Sequence, residues 1–479
     1  MSSRLGKTTL VYFLTQVGAT LIGGVATWYI NFDLGPAAYG EYQTAVASLF
    51  ALNIPASAIG IAVKKRVSEG EEQGAFLAAG HALNLAVHAV LVAGLLAFRG
   101  QVNTFIGLEV AVPFALLVGA RAVFDVTVSS LRGYRQVGTS GAVKTLESFV
   151  RAGVHVGSLF FLGVGVAGLV YGHGAALVLA TLAGVVVLDG RPTGFDARHV
   201  RELVDYARFA WLGTLKTRAF AWTDVLLMRA LSLSIVGLAT VTKTQIGIYR
   251  VAWTFASILA LVSIAVKESL FPEFSELGVD EDYERVHHYL NEGLTFTGVF
   301  AIPGLFGAVA VGDRLLTIFG PEYAVGGGIL VLLVAARLVA AYGAQLVNTI
   351  NAIDYPDVAF RVNLGFVVAN VVLNLALISL FGWYGAAVAT GAASLVSVAL
   401  AGYALTRLIG RPDVPVAEIA YQVAASTVML GAVLAVQRVL PDTLAWTLAV
   451  VGLGAGVYTV ALLALSERVR EKSLGLLPT

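Results

Sequence analysis

Residues 221–276 read AWTDVLLMRALSLSIVGLATVTKTQIGIYRVAWTFASILALVSIAVKESLFPEFSE. The stretch begins inside one apolar run, crosses a short loop, and fills a second apolar run from Gly247 to about Ser269. It then enters the amphipathic segment LFPEFSEL, which indicates the exit from a membrane. Asp224 lies in the middle of the first run. Because a charge in hydrocarbon is costly, we expect this aspartate to be functional or paired.

The second of these two runs has a copy earlier in the chain. Residues 40–69 align without gaps to residues 247–276, and both segments begin an apolar run and end in a polar one. A repeat at equivalent ends of two hydrophobic helices predicts a duplicated transporter core. The identical pairs are Gly40/Gly247, Tyr42/Tyr249, Ala45/Ala252, Leu52/Leu259, Ala58/Ala265, Ser68/Ser275 and Glu69/Glu276.

The composition is that of an integral membrane protein. The chain of 479 residues is 58% hydrophobic and 13% charged, whereas a soluble domain carries about 25% charged residues. There is no cysteine, which excludes disulfides, thiol catalysis and cysteine metal sites. The formal charge is +1 and there is no basic cluster, so nucleic acid is not expected as a partner.

The predicted fold class is an all-α polytopic membrane protein with about fourteen transmembrane helices, each long enough to cross a bilayer. A polar break at 189–207 separates a predicted N-terminal lobe (1–190) from a C-terminal lobe (191–410), and 411–479 adds two helices and a tail. The predicted helices are roughly 9–31, 42–62, 75–98, 108–131, 142–162, 165–188, 208–231, 247–269, 291–312, 327–350, 359–381, 383–406, 416–439 and 443–465.

The distribution of Lys and Arg among the predicted loops sets the orientation. With the N-terminus inside, twenty of these cations fall on the cytoplasmic side and four on the other. Positive charge accumulates in cytoplasmic loops, so both termini are predicted to be cytoplasmic. The N-terminal segment has no cleavage site after its apolar core, and we interpret it as the start of the first helix.

Seven cations remain within the predicted helices, against three acids, Asp125, Glu147 and Asp224. Two of the acids have a partner four residues away on the same helix, in the pairs Arg121/Asp125 and Glu147/Arg151. Each pair shares a helix face. They are either structural ion pairs or part of a cavity wall, which His155 would continue. The cations are Arg121, Arg151, Lys216, Arg218, Arg229, Arg250 and Arg337.

The surplus of cations favours an anionic substrate. Lys216, Arg218 and Arg337 lie deep in their helices without a nearby acid in sequence. A guanidinium fork binds phosphate oxygens bidentately, so these residues, with Arg121 and Arg151, are candidate phosphate ligands. Two further arginines, at 229 and 250, lie near the predicted outer interface, where they can extend to lipid headgroups.

Asp224 supports two hypotheses. It either neutralises a cation across the bundle or binds Na⁺ or a proton and couples transport to an ion gradient. Asn370 and Asn374 lie four apart on one face of helix 11, and Thr390 lies in helix 12. Their oxygens are of the type that a Na⁺ site uses, but such residues also hydrogen-bond helices together.

Several segments resemble the polysaccharide flippases of the Wzx type. These are LGPAAYGEYQTA (34–45), SSLRGYRQ (129–136), QIGIYRVAWTFASIL (245–259), FPEFSEL (271–277), TIFGPEYAVGG (317–327) and NVVLNLALISLFGWYGAAVATGAASL (370–395). The family belongs to the multidrug/oligosaccharidyl-lipid/polysaccharide exporter superfamily, with the lipid II flippases and the MATE exporters as relatives. The resemblance covers about residues 5–410, in the same order along the chain.

The resemblance implies two six-helix lobes around a central cavity, with two extra C-terminal helices. It implies a flippase that moves a polyprenyl- or dolichol-linked oligosaccharide to the outer leaflet by alternating access, for surface polysaccharide or glycoprotein glycan biosynthesis. In relatives, cavity cations hold the diphosphate, and an acid of helix 7 with polar groups of helices 11 and 12 holds Na⁺. Asp224, Asn370, Asn374 and Thr390 resemble the latter set, although Asn replaces an expected helix-11 carboxylate.

The leading alternative is a cation-coupled drug exporter of the MATE kind, for which an acidic cavity would be typical. A membrane enzyme that polymerises glycans is the third, and the short outer loops disfavour it. We therefore expect a non-enzymatic, monomeric protein of the cytoplasmic membrane, without a cofactor other than Na⁺ or H⁺ as coupling ion. Its expected partners are the lipid-linked oligosaccharide, membrane lipids and the enzymes that assemble or polymerise the glycan.

Overall fold

The computed structural model describes residues 2–233, 241–258 and 283–475, and only the backbone of 2–21, 209, 211–214 and 473–475. Within these ranges the chain is helical and contains no strand. The helices are α1 (Ser2–Leu52), α2 (Ile54–Glu69), α3 (Gln73–Ala97), α4 (Arg99–Ile106), α5 (Ala111–Gly133), α6 (Val137–Gly157), α7 (Gly165–Val186), α8 (Ala197–Leu233), α9 (Lys243–Ile258), α10 (Tyr283–Leu316), α11 (Gly327–Ala352), α12 (Pro356–Leu408), α13 (Val416–Gln437), α14 (Leu444–Leu465) and α15 (Glu467–Gly475).

The predicted all-α polytopic fold is confirmed. Among the described residues, eight helices are long and apolar enough to cross a membrane, and a bent pair formed by Ile22–Leu52 and Ile54–Glu69 makes a ninth. One of the eight, α12, has 53 residues, or about 80 Å of helix, more than twice the hydrocarbon thickness. Gly382 breaks α12 with φ 58° and ψ −136°, so α12 contains the two spans predicted there. The total of fourteen is compatible with these helices and stays a prediction.

The helical path through α1 and α2 is interrupted at two places, once before the second span and once within it. Gly35 has φ 74° and is followed by Pro36, and together they separate the first span from the second within α1. A bend of 46° then separates α1 from α2. At this bend Asn53 donates from Nδ2 to the Leu49 carbonyl oxygen at 2.9 Å. The bend leaves the last turn of α1 as a helix end inside the protein.

The described residues form two compact units. The N-terminal unit comprises 2–233 and 241–247, and the C-terminal unit comprises 248–258 and 283–475. In the N-terminal unit, α2, α3, α5 and α8 pack around Val63, Phe76, Val126 and Leu203. In the C-terminal unit, α10, α11 and α12 share one core, and α13 and α14 pack with α10 in a second. The domain limits at 190 and 410 stay predictions.

The repeat brings two equivalent glycines together. A Cβ on Gly40 would lie 2.0 Å from the Lys243 carbonyl oxygen, and a Cβ on Gly247 would lie 2.0 Å from the Pro36 carbonyl oxygen. Neither position has room for a side chain, so α1 and the first turn of α9 touch backbone to backbone within the N-terminal unit. The loop at 234–240 and the predicted segment LFPEFSEL lie outside the described residues.

Candidate functional site

The guanidinium of Arg121, on α5, meets an acid and an aromatic ring. Its Nε lies 3.0 Å from Asp125 Oδ1, one turn further along the helix, which confirms the predicted pair. Its Cζ lies 4.9 Å from the centre of the Phe50 ring on α1. A cation over a ring face is stabilised by about 0.5–2 kcal/mol. A ring of α1 therefore contacts the cation that α5 carries.

Arg218, on α8, approaches the same aromatic residue. Its Cζ lies 5.4 Å from the Phe50 ring centre, and its Nη1 donates to the Phe50 carbonyl oxygen at 2.7 Å. Its Nη2 donates to Ser57 Oγ on α2. Phe50 belongs to the last turn of α1, where carbonyl groups lack their usual helical partners. The bend between α1 and α2 thus positions Arg218.

These contacts place two guanidiniums and one carboxylate around Phe50. Asp125 pairs with Arg121 and also acts on Arg218 through its charge. Two positive charges against one negative leave this group cationic, and Arg121 and Asp125 lie in α5, a helix long and apolar enough to cross a membrane. We call Arg121, Arg218, Asp125 and Phe50 the N-terminal arginine cluster. An anion that arrives here would replace water around two planar donors, an arrangement that suits phosphate.

The C-terminal unit contains a second group of this kind. Arg337, on α11, has its Cζ 4.3 Å from the centre of the Trp253 ring on α9, and its Nη2 donates to Ser257 Oγ at 2.6 Å. The Cζ of Arg250 lies 5.8 Å from the same ring. Tyr249 stacks on Trp253, with ring centres 6.5 Å apart. We call Arg337, Arg250, Trp253 and Ser257 the C-terminal arginine cluster.

Arg121 and Arg337 occupy equivalent positions of a further repeat. Residues 116–123 read LLVGARAV and residues 332–339 read LLVAARLV, with the arginine at the same place in each. The two segments lie in α5 and α11, the helices that supply the two cations. The internal match could have been found in the sequence. The aromatic partners of the two arginines, Phe50 and Trp253, were not predicted, because only the fold brings them to the arginines.

Arg151, on α6, is held by a different group. Its Nε lies 2.8 Å from Glu147 Oε1, which confirms the second predicted pair. His173 Nε2, from α7, lies 3.7 Å from the same oxygen, and His173 Nδ1 lies 3.2 Å from the hydroxyl of Tyr42 on α1. His155 is buried, and its Nε2 bonds to the Leu169 carbonyl oxygen at 3.0 Å. Tyr42 and His173 were not among the predicted site residues.

Lys216 and Asp224 both lie on α8, in the N-terminal unit. Lys216 is half-buried and Asp224 is buried. Each of them makes a contact with other groups of the protein. Their roles as phosphate ligand and ion ligand stay predictions.

The polar residues predicted for an ion site in the C-terminal unit are buried on α12. Asn370, Asn374 and Thr390 are fully buried, and Asn374 donates from Nδ2 to the Asn370 carbonyl oxygen at 2.9 Å. In the described part of the chain, both polar atoms of the Asn370 side chain and the Asn374 Oδ1 have no hydrogen-bond partner. Buried polar atoms of this kind cost free energy unless a ligand or water satisfies them.

Arg229 does not extend to the lipid headgroups as its position suggested. It is buried, and it donates to the carbonyl oxygens of Phe105 and Thr104 at 2.5 and 2.7 Å. Lys243 donates to the Gly107 carbonyl oxygen at 3.1 Å and pairs with Glu41. Both cations therefore bind at the end of α4, where the helix dipole is negative. Within the searched residues, no group of three or more His, Cys, Asp or Glu could hold a metal ion.

The helices that carry the N-terminal cluster fall inside a known family. The family described as polysaccharide biosynthesis protein matches residues 34–325, more than half of the chain. The chain belongs to this family. The match begins in the motif LGPAAYG and ends in TIFGPEYAV, so the predicted resemblance is confirmed over that range. All residues of the two arginine clusters except Arg337 lie within the matched range.

Two curated proteins of Haloferax volcanii are similar to this member of the polysaccharide biosynthesis family. One is the probable flippase AglR, 29% identical over 98% of both chains. The other is the probable low-salt glycan biosynthesis flippase Agl15, 25% identical over 85% of this chain and 84% of its own length. Among solved structures, the lipid II flippase MurJ in an inward closed conformation has a TM-score of 0.80 and 14% identity, over 95% of this chain and 98% of its own. The MurJ likeness shows that the two proteins share a fold.

Proposed function

We propose that this protein is a flippase for a lipid-linked oligosaccharide. It would carry a polyprenyl- or dolichol-phosphate-linked glycan from the cytoplasmic to the outer leaflet by alternating access, for surface polysaccharide or glycoprotein glycan biosynthesis. The name of Agl15 supports glycan biosynthesis as the setting, and both relatives are named as flippases. No covalent chemistry is involved, so the protein acts as a transporter and not as an enzyme.

One observation carries the proposal: the guanidiniums of Arg121 and Arg218 both lie against Phe50, and one carboxylate, Asp125, pairs with Arg121 in a helix that is long and apolar enough to cross a membrane. A cation at this depth costs about 2.5–3.5 kcal/mol on insertion scales. An anionic ligand that binds there offsets this cost. The phosphate group of a lipid-linked glycan has the required charge and geometry. Arg121, Arg218 and Arg337, with Arg151 and Lys216, are the proposed phosphate ligands.

The lipid tail needs an apolar site of its own. The C-terminal unit has an apolar groove of 730 Å³ lined by α10, α13 and α14, with Phe300, Val433 and Val451 among its residues. Apolar grooves of this size accommodate much of a small hydrophobic ligand. We assign this groove to the isoprenoid tail, which gives the two C-terminal helices a function.

For the driving force we propose coupling to Na⁺ or H⁺ through Asp224, Asn370, Asn374 and Thr390. The unsatisfied amide oxygens of Asn370 and Asn374 support a ligand at that part of α12. Asp224→Asn should remove the dependence of transport on Na⁺, or weaken its dependence on pH, measured in proteoliposomes with imposed gradients. Unchanged ion dependence in this variant would contradict the coupling role of Asp224.

The orientation and the setting belong to the same proposal. Both termini would face the cytoplasm, in the cytoplasmic membrane, with lobes at 1–190 and 191–410 and an additional segment at 411–479. The protein would act as a monomer beside the enzymes that assemble the glycan. Accessibility of single cysteines introduced at the termini, in a chain that contains no cysteine of its own, tests the orientation directly.

A drug exporter of the MATE kind is the second candidate. Because exporters of cationic compounds favour acidic sites, the excess of arginines over carboxylates in the N-terminal cluster opposes it. Efflux of a cationic dye from proteoliposomes, with no movement of lipid-linked glycan, would support this alternative and contradict the flippase.

The decisive experiment reconstitutes the full chain in vesicles that contain a fluorescent lipid-linked oligosaccharide on one leaflet. An impermeant glycosidase then reports the fraction that has reached the accessible side. We expect transfer with the wild-type protein, loss of transfer with Arg218→Ala, and normal transfer with Arg361→Ala, which removes an exposed cation paired with Asp357. Equal transfer in protein-free vesicles would overturn the proposal.

A further inference from the structure

The Glu147 carboxylate is more deeply buried than the cation that neutralises it. Its side chain is 8% exposed, whereas the side chain of Arg151 is 32% exposed. The contact between them is a single 2.8 Å approach of Nε to Oε1. The arginine therefore reaches from a buried carboxylate towards an accessible surface. A phosphate at that surface can bind the Arg151 guanidinium without entering the core around Glu147.

His173 is placed to respond when the arginine leaves. Its Nε2 lies 3.7 Å from Glu147 Oε1 and its Nδ1 lies 3.2 Å from the Tyr42 hydroxyl. One neutral tautomer serves both contacts, with Nε2–H facing the carboxylate and Nδ1 accepting from the tyrosine. Once Arg151 is withdrawn, the carboxylate and the imidazole face each other in a buried site. A buried carboxylate without a cation is strongly unfavourable, so the pair must gain a proton.

The other ionisable groups around this site come from three helices, α1, α5 and α6. Arg121 on α5 acts on His173 through its charge, and Lys144, three residues before Glu147 on α6, interacts with Glu147 through its charge. His155 on α6 is 6.4 Å from His173 between ring centres, and its Nε2–H is committed to a carbonyl oxygen. The groups that face Glu147 and His173 are Tyr42 (α1), Arg121 (α5), Lys144, Arg151 and His155 (α6).

We propose that Glu147 and His173 form a proton site that is filled when an anionic substrate withdraws Arg151. This inference rests on the flippase function proposed above and on Arg151 as one of its phosphate ligands. The exchange is balanced. The Arg151–Glu147 contact and the Arg151–Tyr42 hydrogen bond break, an Arg151–phosphate contact forms, and one proton from the solvent enters the Glu147–His173 pair. The buried site keeps its charge, and the substrate is bound together with a proton.

Linkage turns this exchange into a measurable pH dependence. If one proton is taken up with each anion, the affinity for the anion falls about tenfold for each unit by which the pH rises. This holds above the pH range in which the site already binds a proton without the anion. The probe should not titrate itself. A short-chain prenyl diphosphate-linked monosaccharide is a diester whose charges are constant between about pH 5 and 8.

The experiment measures binding of this probe to the full-length protein in nanodiscs by calorimetry, at several pH values and in two buffers of different ionisation enthalpy. We expect about one proton taken up per probe in the wild type. Glu147→Gln should bind the probe without proton uptake and with an affinity nearly independent of pH, because Arg151 is already released. His81→Gln is the control, since it removes a partly buried histidine of α3 that is not among the groups facing the site, and it should leave proton uptake unchanged.

Each outcome decides the matter. Probe binding without proton uptake in the wild type, which needs no variant to fold, overturns the exchange and leaves the flippase proposal in place. Undiminished proton uptake in Glu147→Gln also overturns it. Failure of the wild type to bind the probe in either buffer contradicts the phosphate site itself, and the exchange with it.

Discussion

Each unit contains one of two equivalent arginines, Arg121 and Arg337, on equivalent helices. Different groups contact the arginine in the two units. In the N-terminal unit Arg121 lies over Phe50, and Arg218 bonds to the Phe50 carbonyl oxygen. In the C-terminal unit Arg337 lies over Trp253 and bonds to Ser257. The alignment of 40–69 with 247–276 makes Ser257 the equivalent of Phe50 and places Trp253 one turn earlier.

This difference shows what the duplication kept. Both predicted lobes retain a cation on their fourth predicted span that contacts their second predicted span, but the contacting group changes from a ring to a hydroxyl at the same position. The residue four positions after the arginine differs as well, because it is Asp125 after Arg121 and Ala341 after Arg337. The position of the cation was therefore maintained while its surroundings diverged.

The largest expected effect comes from removing both equivalent arginines. Each of Arg121→Ala and Arg337→Ala should reduce flipping about 10- to 100-fold, as expected for a charge-assisted hydrogen bond of about 1.5–3 kcal/mol. The double variant should lose at least as much flipping as either single variant. Flipping measured in vesicles, with Arg361→Ala as control, tests this. Normal flipping in either single variant would contradict an equivalent role for the two arginines.

Truncating the aromatic partners should have a smaller effect. Trp253→Leu and Phe50→Leu keep both cations but remove the ring face that positions them, which is worth about 0.5–2 kcal/mol. We expect a loss of flipping of about 2- to 30-fold, larger for Trp253, because tryptophan binds cations better and its distance of 4.3 Å is shorter. A larger loss for Phe50→Leu would mean that its carbonyl contact with Arg218 depends on the ring.

The sequence difference four residues after Arg121 and Arg337 can be removed by a single substitution. Ala341→Asp gives Arg337 a carboxylate four residues away, as Arg121 has in Asp125. The carboxylate competes with phosphate, so affinity for a short-chain lipid-linked saccharide should fall by about tenfold. Ala341→Asn, which has a similar volume without the charge, is the control. Equal losses in the two variants would attribute the effect to packing.

The smallest effect is expected at two acidic residues outside the arginine clusters. Glu292, on α10, contacts Lys472 and lies 3.7 Å from Arg468, with 14% of its side chain exposed. Glu72, before α3, lies 2.6 Å from Arg198 and is half-exposed. Glu292→Gln should lower the melting temperature by about 2–6 °C, whereas Glu72→Gln should leave it nearly unchanged.

The pH dependence of the Glu72 contact follows from its charge state. The hydrogen bond from Arg198 lowers the pKa of the Glu72 carboxyl below its usual range. Its small contribution to stability is therefore present at neutral pH and disappears as the pH falls through that lowered pKa. A difference in melting temperature between wild type and Glu72→Gln that persists in strong acid would contradict this assignment.

The sequence predicted the helices more fully than the site. Apolar run lengths predicted the eight described helices that are long and apolar enough to cross a membrane. The spacing of Arg121 with Asp125 and of Glu147 with Arg151 predicted both ion pairs, because i, i+4 contacts depend on one helix alone. Phe50, Trp253, Tyr42 and His173 escaped prediction, because they come from other helices. Arg229 was misinterpreted for the same reason, since the carbonyl oxygens that bind it belong to α4.

The glycine contact at the start of α9 has a consequence for the ancestry of the chain. Gly40 and Gly247 are equivalent positions of the repeat, and each lies against the backbone of the other's helix. A residue that meets its own equivalent is typical of the two-fold axis of a symmetric dimer. In an ancestor made of two identical halves, one substitution of this glycine would have placed two side chains in the contact at once. After duplication the two positions could mutate separately, and in this chain both are still glycine.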